Sequence, residues 1–157
     1  PCPCGYLGAF AATGRNCRCT PDAVQRYQGR LSGPLLDRID IQVEVPAIQP
    51  TALMAAADGE ASAVIAARVA AARQRQWDRQ GSSNAEMPVA DLERHCALDA
   101  SGRELLQRAA QRLGWSGRGL HRVQKLARTI ADLEGSGAIR SAHIAEAMQW
   151  RRALPQA

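Results

Sequence analysis

Two pairs of cysteines near the start of the chain are the residues best suited to bind a metal. Cys2 and Cys4 form one pair, Cys17 and Cys19 form the other, and twelve residues separate the two pairs. Four thiolates are enough for a closed tetrahedral zinc site, although zinc knuckles more often place about two to four residues between paired ligands. The spacing alone leaves structural zinc and four reduced thiols in a loop as equal interpretations. Cys96 lies far from both pairs, and its place on a short predicted helix favours a core position.

The composition favours a helical protein with a basic surface. Of the 157 residues, 46% are hydrophobic but only 4% are aromatic, which suits helices packed through small side chains better than a sandwich or barrel. Twenty Lys and Arg residues outnumber 15 Asp and Glu, giving a net charge of +5. Arginines suit phosphate binding, although on composition alone a solvated helix face is the more usual interpretation.

The sequence contains no stretch of about 20 apolar residues that could cross a bilayer, and no charged-then-apolar signal segment opens it. The cysteine count of five is odd, which is awkward for a disulfide framework. Thiols or metal ligands in a reducing compartment fit better. We therefore predict a cytoplasmic protein.

One stretch, from Ile39 to Val45, predicts a β-strand. Its isoleucines and valines alternate with polar residues until Pro46, the period-two pattern of a half-buried strand. A lone strand cannot satisfy its own backbone hydrogen bonds. Without a neighbouring sheet, we therefore expect residues 1–59 to be less ordered than residues 60–150.

A connector over residues 47–59 is followed by a predicted bundle of four or five helices. The longest helix is expected over Glu60 to Gln80, with an apolar side of Val64, Ile65, Val69 and Ala72 opposite Arg68, Arg73, Arg75 and Arg79. Helix starts are predicted at Thr20, Pro88, Asp99, Ser116 and Ser141, and helix ends at about Arg30, before Gly33, and at Gly81, Gly114 and Gly135. The last helix is expected to turn Ile144, Ala147, Met148 and Arg151 inward. Short connections between these helices are typical of a bundle.

Arg118 is the helical residue best placed to bind an anion. It lies in the first turn of the helix capped by Ser116, where backbone N–H groups and the helix dipole already favour negative charge. Arg122, one turn further on, is the alternative. Arg128 lies off the apolar line of this helix and predicts a surface or interface ion pair. The three histidines are interpreted as ordinary helix residues: His95, His121 and His143.

Several motifs together resemble one family. They are Pro1-Cys2-Pro3-Cys4-Gly5, Cys17-Arg18-Cys19, Ser32-Gly33-Pro34-Leu35-Leu36-Asp37-Arg38-Ile39-Asp40-Ile41, Ala72-Arg73-Gln74-Arg75-Gln76, Asn84-Ala85 and Ala127-Arg128-Thr129-Ile130-Ala131-Asp132-Leu133-Glu134-Gly135. In order and spacing they are similar to the C-terminal part of magnesium-chelatase-like AAA+ ATPases of the competence-associated (ComM/YifB) family.

The resemblance implies a fold and a division of the chain. Residues 1–46 would be the last helix and strand of a truncated α/β ATPase core, residues 47–59 a linker, and residues 60–157 a helical lid. The cysteine pairs occur in similar proteins, which favours structural zinc. The sequence has no Gly-x-x-x-x-Gly-Lys-Ser/Thr phosphate loop, so we do not expect this chain alone to hydrolyse ATP.

The resemblance also implies roles for arginines. Arg38 would reach the γ-phosphate of ATP bound, with magnesium, to a neighbouring subunit; a salt bridge to Asp37 or Asp40 is the alternative. Arg118, or failing that Arg122, would sense nucleotide in its own subunit. The whole protein would be a hexamer acting on DNA in competence, recombination or branch migration.

A second interpretation comes from a different class of protein. The chain would then be a stand-alone basic helical module that binds nucleic acid without nucleotide, through the four arginines of the longest helix.

Overall fold

The chain folds mainly into helices. The computed structural model describes residues 2–9, 13–36, 38–43, 45, 48–55 and 59–151. Eight α-helices lie in these ranges: α1 (Pro21–Gln28), α2 (Gly33–Leu36), α3 (Pro50–Leu53), α4 (Ser62–Gln80), α5 (Leu92–His95), α6 (Ala100–Leu113), α7 (Gly117–Glu134) and α8 (Ser141–Gln149). A 3₁₀ turn over Val89–Asp91 precedes α5, and one parallel bridge joins Leu98 to Ile139. The mainly α prediction is confirmed.

The strand predicted from Ile39 to Val45 was wrong for the residues that can be described. Residues 39–43 and 45 form no strand, and Ile41 and Val43 are 48% and 61% exposed. A strand needs a partner along its whole edge. Here the backbone N–H of Gln42 instead donates to the carbonyl of Trp150, at 2.7 Å. Glu44 and Pro46 lie outside the described residues.

Helix boundaries follow the predicted capping chemistry. Three side chains accept a hydrogen bond from the third residue of the helix that they precede: Thr20, Asp99 and Ser116. Gly81, Gly114 and Gly135 end α4, α6 and α7 with φ of 72°, 62° and 79°, a left-handed conformation that favours glycine. These starts and ends are confirmed.

The chain divides into two compact units. The first contains Pro1–Ile39 and Val43–Gly59, and the second contains Asp40–Gln42 and Glu60–Arg152. In the second unit α7 packs on both α4 and α8. Small residues of α7 make this close packing possible, because Val123, Ala127 and Ala131 are completely buried. Ile144 and Ala147 of α8 are buried against them, as predicted.

The inner face of α4 differs from the prediction. Ala72 is buried as expected, but Val64, Ile65 and Val69 are 54%, 40% and 47% exposed, and the buried neighbour of Ala72 is Gln76. The C-terminal half of α4 packs on α7 through polar groups, since its arginines reach Asp132. The orientation of α4 is therefore set by hydrogen bonds to the buried Asp132 carboxylate and not by the apolar residues of α4.

Candidate functional site

The four N-terminal cysteines converge on one point. Cys2 Sγ lies 3.3 Å from Cys4 Sγ and 3.5 Å from Cys17 Sγ, and the Cys4 and Cys17 sulfurs are 3.6 Å apart. All four sulfurs, including that of Cys19, lie within 4.8 Å of one another. A tetrahedral zinc site with Zn–S bonds of about 2.3 Å requires sulfurs about 3.8 Å apart. The cluster therefore fits a metal ion of that geometry.

A tight turn shapes the first half of this cluster. Gly5 has φ of 80° and donates its N–H to the Cys2 carbonyl at 3.1 Å, which folds the chain back over Cys2. Burial alone would raise the pKa of Cys2, but hydrogen bonds from the Cys4 and Cys17 thiols and the Leu7 and Gly5 amides lower it to about 6. This environment favours a thiolate at Cys2, the form that binds metal.

The second half of the cluster holds its protons more tightly. A backbone hydrogen bond from Cys19 lowers the pKa of Cys17, but burial and the neighbouring thiols outweigh it and raise that pKa to about 12. Four thiolates so close together repel one another, and a divalent cation removes this repulsion. All four sulfurs can therefore be deprotonated together only when a cation lies among them.

Arg38 lies on a turn that follows α2. Its N–H donates to the carbonyl of Leu35 at 2.9 Å, and that of Ile39 donates to Leu36 at 3.1 Å. The Arg38 side chain is exposed. The alternative prediction for Arg38 was a salt bridge to Asp37 or Asp40. Asp37 lies outside the described residues, and Asp40 forms an ion pair with Arg122.

The first turns of α7 carry the two arginines predicted to sense nucleotide. Arg118 is exposed beside the Ser116 cap, whereas the Arg122 side chain is only 26% exposed and is paired with Asp40. Arg151, which is 7% exposed, reaches this turn from the end of α8. A Cβ atom added to Gly119 would lie 3.5 Å from Arg151 Nη2.

A buried charged cluster at the other end of α7 was missed by the sequence analysis. Asp132, 1% exposed, accepts hydrogen bonds from Arg79 at 2.6 and 3.0 Å, from Arg128 at 3.1 Å and from Asn84 at 2.8 Å. Arg75 donates to the Asp132 carbonyl at 3.0 Å. This Asp132 cluster joins α4 to α7.

Arg128 belongs to the Asp132 cluster, where it forms an ion pair as predicted, but the pair is buried and does not lie at the surface. It is 3% exposed, and it also donates to the carbonyls of Ser136 and Gly137 at 2.5 and 2.9 Å. Those carbonyls lie in the turn that follows α7, so Arg128 also fixes the connection from α7 toward α8. The sequence signal was the Arg128–Asp132 spacing of four residues, which places both side chains on one helix face.

His143 also has a more specific environment than the prediction of an ordinary helix residue. It is 3% exposed, and its Nδ1 accepts the N–H of Arg140 at 3.0 Å. Its Nε2 faces the carboxylate of Glu134, which also pairs with Arg140. Hydrogen bonds from Arg140 and His143 lower the pKa of Glu134 to about 2. The arrangement connects the end of α7 to the start of α8.

Cys96 is confirmed as a core residue. It is 1% exposed and lies 3.8 Å from the sulfur of Met87. Burial raises the pKa of its thiol to about 11. A thiol of that kind stays protonated and unreactive near neutral pH.

None of the described helices combines the length and apolarity needed to span a membrane.

Comparison with known proteins places these features in a family. Residues 59–151 match the family model described as magnesium chelatase, subunit ChlI C-terminal, and residues 1–53 match magnesium chelatase, subunit ChlI.

Three similar proteins come from bacteria. The competence protein ComM of Haemophilus influenzae is 40% identical over 152 residues, and YifB of Salmonella typhimurium and of Escherichia coli are each 39% identical. Each alignment covers 96% of this chain but only 29% of the relative. The chain thus spans less than a third of the length of these relatives. Since the C-terminal model alone matches residues 59–151 of 157, this chain belongs to the magnesium chelatase ChlI family.

Proposed function

We propose that the chain is the C-terminal part of a ring-forming, magnesium-chelatase-like AAA+ ATPase. One observation carries the proposal: two successive models of this family match residues 1–53 and 59–151 in that order. Residues 1–46 form the end of the ATPase core, residues 47–59 a linker, and residues 60–157 the lid. ATP and magnesium bind to the whole protein, and the ring is a hexamer.

Arg38 acts as the arginine that reaches the nucleotide of the neighbouring subunit. Its exposure on the turn after α2 supports this role, because such a side chain can extend beyond its own subunit. A guanidinium there neutralises charge that builds on the γ-phosphate during transfer.

Arg118 senses nucleotide in its own subunit. Its exposed position in the first turn of α7 supports the assignment, since an anion there also meets the helix N-terminus. Arg122 is the second choice, because Asp40 already engages its guanidinium.

The four clustered cysteines hold a structural zinc ion. Their mutual distances support this, as does a donor set of four sulfurs with no position left for a substrate. The sulfurs of Cys2, Cys4, Cys17 and Cys19 are its four ligands. Zinc bound there joins the two cysteine pairs and so fixes the loop between them.

The whole protein acts on DNA in the cytoplasm. The support for DNA is the name of one relative, a competence protein. The second interpretation, a stand-alone nucleic-acid module on α4, loses support because Arg75 and Arg79 bind within the fold and Arg68 pairs with Glu60 at 2.9 Å.

The test separates the two arginines in the full-length protein. Arg38→Ala should leave ATP binding nearly intact and lower turnover by about 10³-fold. Arg118→Ala should weaken ATP binding as well as turnover. Arg108→Ala serves as the control, because Arg108 is an exposed arginine of α6 paired only loosely with Glu104, at 3.7 Å.

Mixing the two variants sharpens the result. Some interfaces of a mixed ring combine an intact Arg38 from one subunit with an intact Arg118 from the next, so part of the activity should return. An assembled Arg38→Ala ring with normal turnover would remove the proposed role of Arg38.

A further inference from the structure

Residues Asp40–Gln42 are attached to the helical bundle by two polar contacts. The Asp40 carboxylate accepts an ion pair from Arg122 in the second turn of α7. The Gln42 N–H donates to the Trp150 carbonyl at the end of α8, at 2.7 Å. We call these two contacts the tether. They explain why this short segment belongs to the same compact unit as Glu60–Arg152.

Both attachment points lie at the same end of the bundle. α7 and α8 run side by side, and Arg151, next to Trp150, lies against the first turn of α7 near Gly119. The tether therefore connects to the helix start that carries Arg118. A movement of that helix start must either carry Asp40 with it or break the tether.

Arg38 is separated from Asp40 by a single residue. Two residues of fully extended chain span at most about 7 Å, so an anchored Asp40 limits the positions that the Arg38 backbone can reach. The tether thus restricts a residue that needs freedom to meet a neighbouring subunit.

We propose that Asp40 and Arg122 are positioning residues that make the placement of Arg38 depend on the lid of the same subunit. This inference rests on the proposed function of Arg38 and goes beyond it. When nucleotide shifts the start of α7 in one subunit, the tether moves Arg38 toward or away from the nucleotide of the next subunit. Arg122 then acts through Asp40 and does not contact nucleotide itself.

The expected effect is modest because the ion pair is partly exposed. The Arg122 and Asp40 side chains are 26% and 53% accessible, and pairs of this kind change an equilibrium by about two- to fivefold. Loss of the pair should therefore reduce turnover by about that factor, far less than loss of Arg38 itself.

The experiment compares four variants of the full-length protein with the unchanged protein. Asp40→Asn and Arg122→Gln each remove the pair, and the double charge reversal D40R/R122D restores it in the opposite sense. Glu60→Gln is the matched control, because it removes a partly exposed ion pair between Glu60, just before α4, and Arg68 of α4, whose side chains are 42% and 51% exposed. Turnover, the ATP dissociation constant and hydrogen exchange of the Gln42 amide are measured for each.

The tether predicts a defined pattern. Each single change should lower turnover about two- to fivefold, leave ATP affinity unchanged and speed exchange at Gln42 by a similar factor, whereas the charge reversal should restore normal turnover and exchange. Glu60→Gln should alter none of them. Weaker ATP binding in Arg122→Gln but not in Asp40→Asn would show that Arg122 contacts nucleotide, and would overturn the inference.

Failure of the inference can be told from failure of the proposed function. If both single variants have normal turnover and normal exchange while the Arg38→Ala ring is inactive, only the positioning role of the tether is overturned. Normal turnover in Arg38→Ala would overturn the proposed function of that arginine, whatever the exchange at Gln42.

Discussion

The buried carboxylate of Asp132 gives the sharpest prediction about stability. Its two oxygens accept four hydrogen bonds: Oδ1 from Arg79 and Arg128, and Oδ2 from Arg79 and Asn84. Asp132→Asn keeps the shape but replaces one oxygen by an NH₂ group. In either orientation of the amide, two of the four donors then face another donor.

The cost follows from how deeply the partners are buried. Arg128 is 3% exposed and Asp132 1%, so water cannot replace the lost hydrogen bonds. An unsatisfied buried donor costs about 1–3 kcal/mol, and removing one partner of a buried ion pair costs about 3–5 kcal/mol. We expect Asp132→Asn to lower the free energy of unfolding by about 3–5 kcal/mol. That is a large part of the roughly 5–15 kcal/mol that stabilises a domain.

Urea unfolding of the 157-residue chain, followed by helical circular dichroism, measures this loss. The midpoint should fall sharply while the slope stays constant. Glu60→Gln is the control, since its exposed pair with Arg68 should contribute less than about 1 kcal/mol. If Asp132→Asn costs no more than Glu60→Gln, the carboxylate does not compensate the buried guanidinium groups and the reasoning fails.

Four further predictions use other parts of the chain. As-purified protein should contain about one zinc per chain, lost in the double variant C17S/C19S but kept in Cys96→Ser, as elemental analysis would show; metal-free protein made with zinc available would contradict this. Gly102→Ala should destabilise the fold by about 1 kcal/mol or more, because its Cβ would lie 2.8 Å from the buried Ile144 Cδ1. Gly117→Ala should stabilise slightly, because the described part of the chain places no atom within 4 Å of its Cβ, and thermal unfolding compares the two. Glu134 has a folded-state pKa of about 2, below its ordinary value of 4.5, so its stabilising effect is present above pH 4.5 and is lost as the pH falls toward 2. Acid unfolding of Glu134→Gln should lack that pH-dependent loss.

Helix ends were predictable because their determinants are local. The Asp99 side chain caps α6 through the Gly102 N–H at 2.7 Å, and this depends on residues three positions apart. Gly114 and Gly135 end their helices because glycine adopts positive φ at little cost. Such signals need no knowledge of the tertiary structure, so sequence reasoning recovers them.

The orientation of α4 could not be read in the same way. It depends on Asp132, which lies 53 residues from Arg79 along the chain. A helical pattern ranks isoleucine above glutamine for burial, but the buried Asp132 carboxylate needs donors, and Gln76 is drawn in beside them through its bond to the Asn84 N–H at 2.9 Å. Burial of a charge thus overrides hydrophobic periodicity wherever its partners come from a distant segment.

The cysteine cluster lies between these two cases. Its ligands were identified by type and number, but spacing could not decide whether Cys2 and Cys17 approach each other. Their sulfurs meet at 3.5 Å because the turn at Gly5 folds the first pair back. Residue type therefore identified the candidate ligands, and only the backbone conformation showed that they share one point.

The two ends of α7 have different physical environments, and this difference bears on the proposed role of the helix. Its 18 residues extend about 27 Å, from exposed Arg118 at one end to the Asp132 cluster at the other. The buried end is held by hydrogen bonds to α4 and by the Glu134 contacts with α8, so it moves only with the bundle. The start of α7 carries the Arg118 side chain and the tether. A helix held in this way transmits a displacement along its length with little bending, because its packed face is buried throughout. Contact of nucleotide with Arg118 would therefore move the whole bundle, and the tether would pass part of that movement to Arg38.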